Sequence, residues 1–432
     1  MEENFNEQET ESSEVAQQVS QAKPAKGISG RFFLGLLIGI LISNLFVLVL
    51  MHYKGKGSFY LLNGTVSKKN TVLTSEVKDK IRLIESSIDQ NYLKEVSDED
   101  LANGLFKGMV DATGDKYAEY YTKEEMQKVQ ESATGIFYGI GAYVGIDADT
   151  GYPKLTGIME DTPAEAAGLK AEDVVIEVDG EDVRNWELSD VVAKIKGDKG
   201  TQVELTIYRN GETDYLKIKV TRDEVKSPTV TLEMQDDGVA YMVIRQFEQV
   251  TIEQFAEKLK EARDANMKGL ILDLRGNPGG TLDSVVQIAR QILPEGLIVY
   301  TEDKYGQRNE FKCDGKHQLD VPMVVLVNEN TASAAEILSG AVKDYGIGTL
   351  VGKTTYGKGI VQKVFSINDG SAVKLTISHY YTPKGNDIHE VGVEPDVECE
   401  LDVDKYLDEE IDTQYEKALS ILKDKMQKGD GQ

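Results

Sequence analysis

Apolar and polar positions change period along the 432-residue chain, and each change predicts a different kind of structure. Residues 32–51, FFLGLLIGILISNLFVLVLM, carry no charge. At about 1.5 Å per residue a helix of that length crosses a hydrocarbon layer roughly 30 Å thick. From 76 to 134 the apolar spacing is helical, with Val77, Ile81, Ile84 and Ile88, then Leu101, Leu105 and Met109; Ser97 followed by Asp100 marks a helix start. From 135 to 223 the runs shorten. Strands are predicted at 140–146, 174–178, 203–208 and 215–220, helices at 163–167 and 188–195, and turns at Asp179-Gly180 and Asn210-Gly211. From 224 to 400 strands (239–244, 269–274, 297–300, 324–327, 349–351, 360–364, 372–380) alternate with helices (252–265, 282–293, 334–342). Such alternation predicts an α/β or α+β core with some parallel pairing. Residues 401–432 are acidic and amphipathic, with Tyr415, Leu419 and Leu422 on a terminal helix.

Composition narrows the function. A formal net charge of −26 argues against nucleic-acid binding, which needs clustered Lys and Arg. Two distant cysteines, Cys313 and Cys399, make neither a disulfide framework nor a zinc spacing; they are one bridge or two thiols. Four histidines leave histidine catalysis few candidates, and no metal or cofactor is implied. Around the apolar run, residues 1–31 form an acidic tail that ends with Lys23, Lys26 and Arg31, which favours a cytoplasmic N-terminus. Lys54 and Lys56 reduce that asymmetry. HYKGKG follows where a cleaved signal peptide would have small residues, so 32–51 reads as an uncleaved single-pass anchor, 52–75 as a stalk, and the body as extracytoplasmic.

Three stretches could carry chemistry. In ENTASAAEILSG, Ser333 with Glu336 spells a helix capping box. The same helix end offers free N–H groups and a positive dipole, which suits a nucleophile, with the Ala334 N–H beside it. In TTYGKGIVQ, Lys358 by itself reads first as a surface cation; to act as a base it would have to lose its proton near neutral pH. No acid stands near it in that stretch, and burial would disfavour its charged form. In LILDLRGNPGGTLDSV an apolar strand ends in a glycine turn, which is either a plain βα turn or a place where Gly279 and Gly280 present N–H groups to an oxyanion. Phosphate-loop spacings are absent.

Two resemblances join these pieces. YGIGAYVG, GIMEDTPAEAAGLKAEDVVIEVDGEDV and TQVELTIYRNGE resemble a PDZ domain over 135–223. The loop Gly139-Ile140-Gly141-Ala142 then matches the nest that holds a peptide's terminal carboxylate. LILDLRGNPGG, the Ser333 and GKGIVQ segments, and VGVEPDV resemble the carboxy-terminal processing peptidases, a family of PDZ-containing serine endopeptidases. The likeness, over about 76–400, implies a helical arm (76–134), a PDZ domain (135–223) and a serine-peptidase core (224–400); with the transmembrane helix read from 32–51 the whole is a multidomain α+β protein. It implies Ser333 as nucleophile, Lys358 as general base, Gln362 as the glutamine that orients the lysine, and Ala334 with Gly279 or Gly280 at the oxyanion hole. It also implies substrates recognised at accessible C-termini and a PDZ domain that gates cleavage; the anchor, a departure from the family in address, gives the expected bacterial cell-membrane location. The arm reads as a plain adaptor or, with the C-terminal helix, as a homodimer contact. The rival to a peptidase is an inactive membrane-anchored PDZ scaffold that binds C-termini.

Overall fold

The computed structural model describes residues 72–429. The expected anchor at 32–51, the acidic tail and most of the stalk lie outside the described residues. Among the described residues no helix is long and apolar enough to cross a membrane.

Helix α1 (Ser75–Asn91) belongs to a first unit ending at Tyr92; it is capped by Thr74 and buries none of its residues. The second unit runs from Leu93 onward. It opens with α2 (Asp98–Asp111), capped by Ser97, whose hydroxyl accepts from Asp100 N–H at 3.0 Å. Strand β1 (Glu119–Tyr121) and α3 (Lys123–Thr134) complete the arm. The helical spacing gives no hint of β1; three residues are too few to show a period, and a distant strand makes it one.

The next region starts at β2 (Ile136–Gly139) and holds β3 (Ala142–Ile146), β4 (Pro153–Ile158), α4 (Pro163–Ala166), β5 (Val174–Val178), β6 (Glu181–Asp182), α5 (Leu188–Ile195), β7 (Gln202–Tyr208), β8 (Leu216–Thr221) and β9 (Asp223–Lys226). Its main sheet has the order β3-β4-β5-β7-β8, so β3 is an edge. Leu155, Val175, Val178, Val203, Leu205 and Ile207 are fully buried at its centre. Strands β2 and β9 pair antiparallel, Ile136 with Lys226, so the chain enters and leaves this region through one two-stranded ribbon.

The remaining core comprises β10 (Val230–Met234), β11 (Val239–Ile244), α6 (Gln249–Asp264), β12 (Gly269–Asp273), α7 (Leu282–Ala289), β13 (Gly296–Asp303), β14 (Arg308–Cys313), β15 (Met323–Val327), α8 (Ala334–Tyr345), β16 (Gly348–Gly352), β17 (Ile360–Ser366), β18 (Ala372–Tyr381) and β19 (Val397–Glu398). The sheet β10-β11-β12-β15-β16-β19 is parallel from β11 onward. Every residue of β12 and β15 is buried, as expected of strands covered on both faces. Leu270 and Leu272 join the cluster with α6, α7 and α8, while Ile271 between them faces the other side. After α9 (Val403–Glu409), α10 (Thr413–Gly429) covers that second face with the fully buried Ala418 and Leu422. The apolar side of the C-terminal helix is thereby packed on its own sheet.

A second, antiparallel sheet carries β18 at its centre, paired with β17, β13 and β1. The two cysteines are free thiols.

Candidate active site

Ser333 sits at the N-terminus of α8 with φ 53° and ψ −115°. That conformation is rare for a residue with a side chain and costs about 1–3 kcal/mol. Two neighbours hold it. The Ser333 N–H donates to Glu336 Oε2 at 2.7 Å, and the Tyr380 hydroxyl lies 3.0 Å from the Ser333 carbonyl oxygen and also within reach of the Lys358 carbonyl. Burial, with the charges of Glu336 and Asp387 near, holds the Tyr380 phenol well above its ordinary value, so it remains a donor.

Glu336 does more than cap. Fully buried, its Oε1 accepts from the Thr355 hydroxyl (2.6 Å) and Gly357 N–H (2.7 Å), and its Oε2 accepts from Lys358 N–H (2.9 Å) as well as from Ser333. One carboxylate therefore ties the Ser333 turn to the Lys358 loop through backbone, without pairing with the lysine ammonium. Thr355 in turn accepts from Val393 N–H at 2.7 Å, and the Glu390 N–H donates to Gly357 O at 2.7 Å. A Cβ on Gly359 would lie 2.6 Å from His389 N, so glycine is required there to seat the loop on the 389–393 segment.

The Lys358 side chain is half-buried and its Nζ lies 4.8 Å from the centre of the Tyr117 ring. Burial, and next the charge of Lys374, push its pKa below the ordinary lysine value, against a smaller opposing pull from Glu336. Gln362 stands on the same cavity wall, but its amide donates to Thr376 Oγ1 at 3.4 Å.

The glycine turn is stitched to the serine turn. The Thr331 hydroxyl donates to Leu274 O (2.8 Å), Gly276 N–H to Asn328 Oδ1 (2.9 Å), and Ala332 N–H to Asn277 O (2.9 Å). Arg275 binds Asp273 and reaches Asp412 at the start of α10, which fastens the turn from below. A Cβ on Gly279 would approach Ser333 Cβ to 2.8 Å, and one on Gly280 would meet Phe247 O at 2.1 Å. The Gly279 N–H is already given to Asn277 Oδ1 at 2.8 Å. Among the described residues the N–H groups of Gly280 and Ala334 have no acceptor, which separates the two glycines that the sequence leaves equivalent.

Ser333, Ala334, Gly280, Lys358 and Gln362 thus line one cavity of about 650 Å³. Glu336, Tyr380 and Tyr117 escape the sequence reading in these roles. Glu336 is visible there only as a cap, and the tyrosines carry no local signal. The loop Gly139-Ile140-Gly141-Ala142 lies elsewhere, between β2 and the edge strand β3. Gly141 (φ 81°) has the left-handed backbone expected of a nest, and the Ile140 and Gly141 N–H groups have no acceptor among the described residues.

Residues 238–399 match peptidase family S41 and residues 155–209 match the PDZ domain, so Gly139–Ala142 falls just ahead of the latter. Carboxy-terminal processing protease CtpA of Bacillus subtilis is 33% identical over 341 residues, covering 78% of this chain and 72% of its own. The carboxyl-terminal-processing protease of Synechocystis is 35% identical over 305 residues, covering 69% and 71%. The photosystem II D1 C-terminal processing protease structure shares 28% identity over 74% of this chain and 86% of its own, with a TM-score of 0.44. The chain belongs to peptidase family S41, the carboxy-terminal processing proteases, and is a serine-type peptidase with a PDZ domain.

Proposed function

We propose that this chain is a membrane-anchored endopeptidase that uses a Ser333–Lys358 dyad on proteins recognised by their C-terminal tails. The observation that carries the reading is the shared cavity: a half-buried lysine with a lowered pKa, a strained serine, and the free N–H groups of Gly280 and Ala334. Neutral Lys358 takes the Ser333 hydroxyl proton as Oγ attacks the scissile carbonyl carbon. The Gly280 and Ala334 N–H groups receive the oxyanion. The tetrahedral adduct collapses, the C–N bond breaks, and the Lys358 ammonium returns its proton to the leaving amine. Water then adds to the acyl ester, giving a proton to Lys358, and the acid leaves as Ser333 recovers its own. The orienting role of Gln362 rests on the family resemblance. Casein digestion by the detergent-solubilised full chain tests the reading: if wild type cuts and the Ser333→Ala chain cuts as fast, the dyad is wrong, and if wild type does not cut, the inactive PDZ scaffold is favoured.

The substrate tail is placed as a strand on β3, with its carboxylate on the Ile140 and Gly141 N–H groups. Gating by this domain has a physical route. One side of α3 (Lys128, Val129, Ser132, Ala133) walls the Ser333 cavity. Its other side (Gln127, Gln130, Glu131) walls a cavity of about 560 Å³ shared with Tyr138, Lys196 and Gly197. Glu131 binds Lys196 at 2.7 Å across the latter. Glu131→Gln should release α3 and change the cleavage rate of a short untailed peptide by a few-fold, since a pair about one-third exposed is worth at most about 1 kcal/mol. An unchanged rate would count against gating by this route.

Residues 32–51 remain the proposed anchor, with the body outside the cytoplasm. The exposed Leu83 and Ile84 of α1, and separately Leu105 and Met109 of α2, support the arm as a homodimer contact. Fractionation should place the full chain in the membrane, and light scattering of the solubilised chain should give a dimer. Recovery as a soluble monomer would refute both.

A further inference from the structure

We propose that Tyr117, on the turn between α2 and β1, is a positioning residue for the base: its ring roofs the Lys358 amine, excludes water from it and sets the side chain's direction. This rests on Lys358 being the base.

The geometry is held at both ends of the ring. At the backbone end, Tyr117 N–H donates to Asp115 Oδ1 at 2.9 Å. Burial works against the Asp115 charge, but hydrogen bonds from Thr376 and from Tyr117 N–H outweigh it and keep that carboxyl below its ordinary range. Asp115 is thereby tied to β18, the strand that pairs with β1 two residues on, Glu119 opposite Lys374. At the other end the ring has Lys116 Nζ 4.9 Å from its centre and Tyr356, two residues before Lys358, near its hydroxyl. The turn is thus held beside β18 by the β1 pairing and brings its ring over the Lys358 amine, although it lies far from both in sequence.

An aromatic wall suits this task better than a polar one. A carboxylate there would pair with the ammonium and hold its proton. A ring attracts the ammonium by only about 0.5–2 kcal/mol and offers no acceptor for a strong hydrogen bond. It still occupies the volume that water would take. The other charged groups about the amine are Lys374 and Lys128 on the cavity wall, Lys116 beside the ring, and Glu336, which is spent on three backbone N–H groups and the Thr355 hydroxyl. Lys374 is itself paired with Glu119 at 3.0 Å. The phenols nearby are Tyr121, Tyr356 and Tyr380.

Removing the ring has two opposed effects. Lost attraction to the ammonium lowers the lysine pKa, and admitted water raises it. Burial is the largest cause of the present depression, so hydration is the larger change.

The test is the pH profile of kcat/KM for the full chain in detergent, whose acid limb reports the free base. Tyr117→Phe keeps the ring and should keep the limb. Tyr117→Ala should move it upward by about one unit, a roughly tenfold loss at neutral pH with KM little changed. Tyr117→Ser is read in the same way if the alanine chain does not fold. An unmoved limb, or one moved to lower pH, in the folded ring-free chain overturns the proposal. If instead Lys358→Met keeps wild-type activity and limb, the dyad reading has failed independently of Tyr117.

Discussion

Ser333→Ala and Lys358→Met are each expected to lower kcat/KM on casein by at least about 10³-fold, and the double variant should fall no further than the worse single. In the proposed dyad the serine and lysine act as a unit: without the base the hydroxyl stays protonated, and without the hydroxyl the base has no proton to take. What survives is the oxyanion pocket and binding. The pH profile follows from burial. As the proposed base, Lys358 must be neutral to act, and burial pushes its pKa below that of a free lysine. Activity should therefore rise with pH through that lowered value, rather than only above about 10.4. A double variant much worse than either single would mean that the two residues act separately.

Glu336→Gln is the second large effect. It should slow casein cleavage by about 10²-fold and destabilise the fold by about 3 kcal/mol, read by rates and by thermal melting. Each carboxylate oxygen accepts two donors: Thr355 and Gly357 on one, Ser333 and Lys358 on the other. A glutamine keeps the volume but replaces one oxygen with an amide nitrogen that is itself a donor. Two buried N–H or O–H groups then lose their acceptor, at about 1–3 kcal/mol each. The strained Ser333 and the base loop share that acceptor, so misplacement of about 1 Å is enough for the rate loss. An unchanged melting temperature with an unchanged rate would show that the carboxylate is dispensable.

Much of the fold was legible because its signals are local. The buried strand at 269–273 reads from a run of apolar residues, the helix starts at Ser97 and Ser333 from their caps, and the turns at Asp179-Gly180 and Gly279-Gly280 from their glycines. Strand β1 was not legible, because it becomes a strand only by pairing with β18 more than 250 residues later. Glu336 was legible as a cap and not as a clamp: its partners Thr355, Gly357 and Lys358 come from another loop. Tyr380 is an ordinary strand residue until its hydroxyl arrives between two carbonyls.

By itself the sequence determined the types of residue and their order: a long apolar run near the start, a glycine-rich edge-strand region, and a serine, a lysine and a glycine turn in an α/β core. Those follow from period, capping and turn chemistry, all of which act within a few residues. Only the tertiary structure decided which glycine keeps its N–H free, that the lysine is half-buried against Tyr117 and not a surface cation, and that the C-terminal helix is part of the core. Hydrogen-bond partners, burial and the pKa that follows from them depend on what the rest of the chain brings to a residue, and no spacing within the chain encodes that directly.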